Sequence, residues 1–590
     1  QITDSAGTVV QDLSCYDFLQ SDAGAPESTH PSLWRIAQLN AVHGLFKVCD
    51  GVYQVRNLDI SNLSVIVGET GYIVVDPLFS RETAAAAMNL VYEHLGKRPI
   101  TGIIYTHSHL DHFGGVLGVI EESDARERQV PIIAPADFMD HAVSENIYTG
   151  VAEAKRNQFM FGTLLPRGVH GQITSSLGIG VSTGVSTLLA PTISVGSAGA
   201  TVKVDGIEFE FISASGAEAP SEFHFRVPRY GASCLAENLS RVMHNIYTLR
   251  GAPVRDALLW SKIIDQCLDQ TNDVEVVFMG HHWPVWGRAN IEEFLQKQRD
   301  MYRFMHDETL RLINHGYTGI EIAELLEMPE ELASYWPNRG LYGSLSHNVK
   351  AIYQRYLGWF DGNPANLHPL PPKQAGARYV DAMGGADRVV ELARDACSAG
   401  DYRWASELLK HVLAHDESHC AARALQADSF EQMGYQAESG PWRNFYLSGA
   451  QELRNETTND SRSSADRGRE LVRAMDVPQL IDFIGIRFDG TGNSDLDGLF
   501  EVVVDGNSYF VGVGNGCISS RRFLRRGERP DAVMAVSREA FAPLCQGEIA
   551  LPDAVADGIV VITGDAHRIE RFWHSLDVFD GRFSLTTIRE

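Results

Sequence analysis

The stretch HSHLDHFGG places His107, His109, Asp111 and His112 within six residues, directly after the apolar run ITGIIYT. Imidazoles and a carboxylate at this density are metal-ligand chemistry, because each offers a lone pair that a divalent cation can share. Residues two apart in an extended chain point to the same side, so His107 and His109 can grip one metal. Asp111 and His112, where the chain bends into a helix, can reach a second. The spacing favours a binuclear centre, and the chemistry such a centre performs is hydrolysis by water whose pKa two cations have lowered. The eight cysteines, spread from Cys15 to Cys545 with no CxxC pair, read as ordinary buried thiols and not as competing ligands.

Such ligands need a rigid frame. From Val52 to Asp76 the pattern is strand, turn, strand, and the segment SRETAAAAMNLVYEHLG then reads as a helix stopped by Gly96. Apolar strands follow at 100 to 106, 131 to 135 and 207 to 213, so an α/β layer fold is expected over roughly the first 360 residues. Residues 171 to 200 carry no charge and are rich in Gly, Ser and Thr; a loop of this length inside a compact domain reads as a wall or lid beside the site. The Pro-rich DGNPANLHPLPP at 361 to 372 reads as a linker. Helical periods with breaks at Ala399-Gly400-Asp401 and Asp416-Glu417-Ser418 then resemble tetratricopeptide units, a layer that would bury itself against a second subunit. The polar run at 454 to 470 closes that part. From about 476 the chain returns to strands, with a hairpin signal at Asp505-Gly506-Asn507 and covering helices near PQLIDFIG and DAHRIERFWHSL.

Lys and Arg total 50 against 76 Asp and Glu, a formal charge of −26. Nucleic acid is a poor partner for such a surface, whereas a small anion is acceptable wherever a metal or an Arg overturns the local field. No run of 18 apolar residues suggests a membrane span. The sequence begins at Gln1 without Met, which leaves the compartment open: secreted or periplasmic if a leader was trimmed, cytoplasmic otherwise.

The HxHxDH motif with the strand entry IVVDP resembles the metallo-β-lactamase superfamily, in which Asp76 would brace the ligand loop without being a ligand. The runs HPSLWRIAQLNAVHGLFKV, SENIYTG with LLPRG, AEN with HNIYTLRG, and HHWPVWG further resemble the metal-dependent alkylsulfatases, or type III sulfatases, over nearly the whole chain. That resemblance implies a metallo-β-lactamase αββα sandwich over 1–365, an α-helical, tetratricopeptide-like dimerisation domain over 373–470, and an α+β sterol-carrier-like domain over 476–590.

The resemblance also implies two zinc ions per subunit. It assigns His107 and His109 to one and Asp111 and His112 to the other, with Glu218 and Glu237 as carboxylate ligands, one of them bridging. The last imidazole comes from GHHWP: His281 directly follows the apolar strand EVVFMG and is favoured, while residue counting leaves His282 open. Asn245 and Arg250 match the sulfate-binding positions, Arg offering a planar fork to an oxyanion. Leu239 and Arg241 depart from the residues expected of the family. The implied activity is cleavage of alkyl sulfate esters, dodecyl sulfate-like or secondary, to alcohol and inorganic sulfate by a metal-activated hydroxide. Asp111 carries a ligand and catalytic role, and the tail lies near Trp283 or Trp286. His170, Tyr247 and the hydroxyls of the uncharged segment are open candidates for protonating the leaving oxygen. The competing readings are another hydrolase of the same fold, acting on thioesters or lactams, and a lipid or sterol carrier with an inactive metal domain.

Overall fold

A computed structural model describes residues 1–20, 24–454 and 470–587. The chain divides into two compact units, one of residues 1–138, 153–461 and 582–590, the other of residues 139–152 and 462–581.

In the first unit, seven strands form one sheet in sequential order: β1 (Gly44–Cys49), β2 (Val52–Arg56), β3 (Leu63–Val67), β4 (Tyr72–Val75), β5 (Ile100–Ile104), β6 (Ile132–Pro135) and β7 (Ile193–Val195). The first four are antiparallel; from β4 onward the pairs are parallel. A second, six-stranded sheet runs β8 (Ala200–Val204), β9 (Ile207–Ser213), β10 (Phe223–Val227), β11 (Ala232–Cys234), β12 (Val276–Phe278) and β13 (Val285–Trp286). Alternation along these strands turns Ile66, Ile73, Val75, Ile104 and Ile133 of one sheet toward Phe209, Phe211, Phe223, Phe225 and Phe278 of the other, giving one apolar layer between the sheets. Helices Ala257–Gln270 and Arg288–Asn314 pack outside the second sheet through Trp260, Ile264, Phe294 and Leu295 against Val277 and Met279.

The parallel pairs decide where the site lies. Val75 is the direct partner of Ile104, and Cys234 of Phe278, so four strand ends open on carboxyl-terminal edges. Asp76 follows β4, His107 follows β5, Glu237 follows β11 and His281 follows β12. Glu218 comes from the connection closing the β9–β10 hairpin, where Ser213 pairs with Phe223.

The uncharged segment differs from its expected form. Residues 171 to 182 are buried, not spread over an opening, and strand β7 is its one strand within 171–195. Asn40 Nδ2 donates to Ser176 O at 2.9 Å, and Ser182 N–H to Asp59 Oδ1 at 3.2 Å. Without charges, its backbone groups are satisfied inside the protein, which makes it a brace and not a lid.

The helical part has helices Pro372–Ala382, Ala386–Ser398, Tyr402–His415, Cys420–Gln436 and Gly440–Arg454, broken at both expected places and packed around Val389, Leu409 and Val412. The polar run at 454 to 470 lies, apart from its two ends, outside the described residues. The second unit holds strands β14 (Gly498–Val504), β15 (Asn507–Gly514), β16 (Cys517–Arg521), β17 (Ala532–Val536) and β18 (Val560–Gly564) in order β16-β15-β14-β17-β18. The two-residue hairpin turn falls on Asp505 and Gly506, both at positive φ. Helix Ala566–His574 stacks Phe572 on Phe500, with 5.5 Å between ring centroids. Residues 139–152, which include SENIYTG, belong to this unit, where Gln479 Nε2 donates to Asp140 Oδ1 at 3.0 Å.

Candidate metal centre

Asp76 organises the ligand turn. Its Oδ1 accepts from Thr106 N–H at 2.8 Å, and its Oδ2 accepts from Thr106 Oγ1 at 2.8 Å and faces His112 Nδ1 at 2.9 Å. Since that hydroxyl donates to Asp76, its oxygen accepts from His107 Nδ1–H at 2.9 Å. His281 Nδ1–H donates to Ile60 O at 3.0 Å. In each neutral imidazole the outer nitrogen holds the proton, and the Nε2 lone pair of His107, His112 and His281 faces inward. Glycine is required twice around them: a Cβ on Gly280 would lie 2.6 Å from His112 Cε1, and one on Gly115 would lie 2.0 Å from Pro77 O.

Two groups of candidate ligands result, one of His107, His109, Glu218 and Glu237, the other of Asp111, His112 and His281. His109 Nδ1 lies 3.1 Å from Glu218 Oε2; His112 Nε2 lies 3.3 Å from Asp111 Oδ2. Glu237 stands between the groups, with Oε2 at 3.1 Å from His107 Nε2 and 3.2 Å from His112 Nε2, and Oε1 at 3.1 Å from His281 Nε2. A third grouping, Asp76 with His107 and His112, is the brace already described.

The three carboxylates are held ionised, as a cation site requires. Burial pushes the Glu218 carboxyl up, but the Arg255 guanidinium, helped by His109, overrides it and holds the pKa at about 2. Burial also works against ionised Glu237 and Asp111; His281 and the other imidazoles keep the first, and His112 the second, well below the carboxylate range. His107 is driven down by burial and then by His112. For His112 and His281 burial is outweighed by carboxylates, Asp111 and Asp76 for one and Glu237 for the other, and both are raised. The neighbouring Glu222 is pushed well above its usual range by burial and by Glu218. Buried atoms without a hydrogen bond include Glu218 Oε2, His112 Nε2 and His281 Nε2. Converging buried lone pairs without donors are what a cation would satisfy, so this donor set fits the metal that the fold implies.

His282 stands outside the cage. Its φ of 61° turns the side chain away from His281, Arg241 N–H donates to its Nδ1 at 3.2 Å, and its Nε2–H donates to Ser176 O at 2.7 Å. Both nitrogens are used, and burial pulls its pKa to about 3.

Asn245 is buried beside this cage, and Arg250 Nη1 donates to Glu153 Oε2 and to Gly251 O, each at 3.1 Å. Tyr342 lies in the same field: its hydroxyl is pushed up by burial, then by Glu237, while Arg255 and Arg250 oppose. Trp286 is elsewhere. It pairs with Val276 at the amino end of β12, opposite the end that leads to His281, and its indole donates to Val48 O. Trp283 lies under the Arg241 guanidinium, which is 5.7 Å from its ring. That same Arg241 donates to Trp283 O and Pro284 O, and Leu239 is buried in the helix-packed core, so both departures are structural. His170 is exposed against Tyr435, and Tyr247 Oη accepts from Arg156.

Sequence reasoning passed over His244 and Arg255. His244 Nε2 lies 2.9 Å from Glu237 Oε1, and Arg255 is an ion-pair partner of Glu218 Oε1. A signal for Arg255 existed: a cation directly before Asp256, the N-cap of helix Ala257–Gln270, sits at the positive end of a helix dipole and needs an anion elsewhere.

The family models for the metallo-β-lactamase superfamily, alkyl sulfatase dimerisation and the alkyl sulfatase C-terminal region match residues 56–281, 318–456 and 466–587. A linear primary-alkylsulfatase of a Pseudomonas species is 43% identical, covering 98% of this chain and 86% of that enzyme. An alkyl/aryl-sulfatase of Saccharomyces cerevisiae is 42% identical over 99% of this chain and 90% of its own length. The solved structure of a stereoselective inverting sec-alkylsulfatase from Pseudomonas superposes with a TM-score of 0.95 at 40% identity, covering all of this chain and 93% of that one. With likeness of this extent and a metallo-β-lactamase domain carrying the cage, the chain belongs to the alkylsulfatase family.

Proposed function

We propose that this chain hydrolyses alkyl sulfate esters to alcohol and inorganic sulfate, using two zinc ions held by His107, His109 and Glu218 on one side, Asp111, His112 and His281 on the other, and Glu237 between. The observation that carries this reading is the position of Glu237, with one oxygen toward His107 and His112 and the other toward His281. Two zinc ions supply Lewis acidity that makes water a nucleophile near neutral pH. The protein's residues do the rest. Asp76 and Thr106 fix the imidazoles so that their lone pairs face the cage. Asn245 and Arg250 receive the sulfate, one as neutral donor and one as cation, so that three carboxylates nearby do not repel the ester. The dimerisation-region match supports a homodimer, and among the described residues no helix is long and apolar enough to cross a membrane.

The test is metal content of the purified chain together with sulfate release from dodecyl sulfate, with and without chelator. Two zinc per chain and chelator-sensitive release are expected. Metal without release would favour a different hydrolase of this fold, and neither would favour a carrier. Hydrolysis in oxygen-18 water then separates the routes: label in the alcohol means attack at carbon, and label confined to sulfate means attack at sulfur.

A further inference from the structure

We propose that Arg255 is the positioning residue that joins the ligand cage to the sulfate cradle, an inference that rests on the alkyl sulfate reading above. Arg255 is only 8% exposed, and its guanidinium faces three functional groups at once. One nitrogen, Nη2, pairs with Glu218 Oε1 as a charge contact. The other, Nη1, donates to Asn245 Oδ1 and to Asn245 O at 2.9 Å, and lies 3.1 Å from His244 Nδ1.

Two of these contacts sort a two-ended group. With Oε1 of Glu218 held by Arg255, Oε2 is the oxygen left facing His109 at 3.1 Å. With its carbonyl oxygen engaged, the Asn245 amide presents its NH2, which has no hydrogen-bond partner among the described residues, as the donor an oxyanion needs. His244 Nδ1 lies 3.1 Å from both the Arg255 guanidinium and the Asn245 carbonyl oxygen, and His244 Nε2 lies 2.9 Å from Glu237 Oε1, so Arg255 packs against the imidazole that touches the central carboxylate. One planar cation therefore sets the free oxygen of Glu218 and the amide face of Asn245, and holds the place of the imidazole beside Glu237. A lysine ammonium could supply the charge beside Glu218 without reaching Asn245 and His244 with a rigid fork.

The test compares Arg255→Met and Arg255→Lys by zinc affinity in chelator competition, calorimetric binding of inorganic sulfate to the zinc-loaded chain, and kcat and KM on dodecyl sulfate. For Arg255→Met, zinc affinity should fall about 10–100-fold, and sulfate affinity should fall with it while KM rises at least about tenfold. For Arg255→Lys, zinc affinity should return near the wild-type value while KM stays raised. A folded Arg255→Met chain with wild-type zinc affinity and KM overturns the proposal. Should that variant fail to fold, a Lys variant with wild-type KM and sulfate affinity overturns it instead. If the wild-type chain releases no sulfate, the alkyl sulfate reading fails by itself. The zinc measurement still judges Arg255, because a Met variant that holds zinc like the wild type overturns its part in the cage, and a weakened one supports it.

Discussion

Asp76 Oδ2 lies 2.9 Å from His112 Nδ1 and accepts from the Thr106 hydroxyl that in turn accepts from His107, so one carboxylate orients an imidazole of each candidate ligand group. It can do so because β4 and β5 are parallel and Val75 pairs with Ile104, which brings the residues after both strand ends side by side.

Removing this carboxylate should therefore weaken metal binding without removing a ligand. Asp76→Ala is expected to lower zinc affinity and turnover by about 10–100-fold, the range usual for carboxylates behind ligating histidines. Zinc competition with a chromophoric chelator reads the effect, and an unchanged affinity would show that the imidazoles hold their tautomers unaided.

Glu237 makes a sharper demand. Because its two oxygens face different groups, Glu237→Gln should loosen both positions and leave less zinc bound than Glu218→Gln, which should weaken one position and leave the other filled. Metal analysis after gel filtration at limiting zinc distinguishes them. Equal stoichiometry in both variants would contradict a central place for Glu237.

The helical part contributes a buried cation to the first unit. Arg443 is fully buried; its Nε donates to Gly171 O at 3.1 Å, Nη1 to Ser28 O at 2.6 Å and Nη2 to Val169 O at 2.8 Å. Arg443→Met keeps the apolar stem but strands the Ser28 and Gly171 carbonyls, each costing about 1–3 kcal/mol when buried without a donor, while Val169 O keeps the Ser28 hydroxyl at 2.8 Å. A loss on the order of 2 kcal/mol or more is expected in urea unfolding. A loss below about 1 kcal/mol would mean that water reaches those carbonyls.

How much of this was legible in the sequence depended on range. His107, His109, Asp111 and His112 could be read because local geometry alone brings them together. The helix breaks and the Asp505-Gly506 turn were legible for the same reason. Glu218 and Glu237 carry no local signal and were found only through matched motifs, since their convergence depends on strand order in a second sheet. His281 and His282 were separated by a single backbone torsion that residue counting does not contain. Arg255 and Arg443 look like surface cations until the chain folds, and Trp286 looked close to His281 until the antiparallel return of β13 carried it to the far end of β12.

The buried carboxylate of Asp59, one residue before the Ile60 carbonyl that holds His281, gives a pH signature. Asp59 has no exposed surface; it accepts from Ile60 N–H, Ser182 N–H and Thr83 Oγ1, and burial lifts its pKa from 3.8 to about 6. Between those values the folded chain holds a proton that the unfolded chain has released, so stability falls as pH rises through this window and is flat above about 6. At 1.36 kcal/mol per unit the change is roughly 3 kcal/mol. Asp59→Asn retains an oxygen for the two backbone donors, and the Thr83 hydroxyl can turn to Ser80 O, 3.1 Å away, and accept from the new amide. The variant should therefore gain on the wild type between pH 4 and 6, by roughly 3 kcal/mol in total, and then keep a constant difference. Urea unfolding of both chains at matched zinc concentration from pH 4 to 8 measures it, because metal-linked effects common to the two cancel in the difference. A difference that does not change with pH would show that Asp59 titrates in the fold as it does in the unfolded chain.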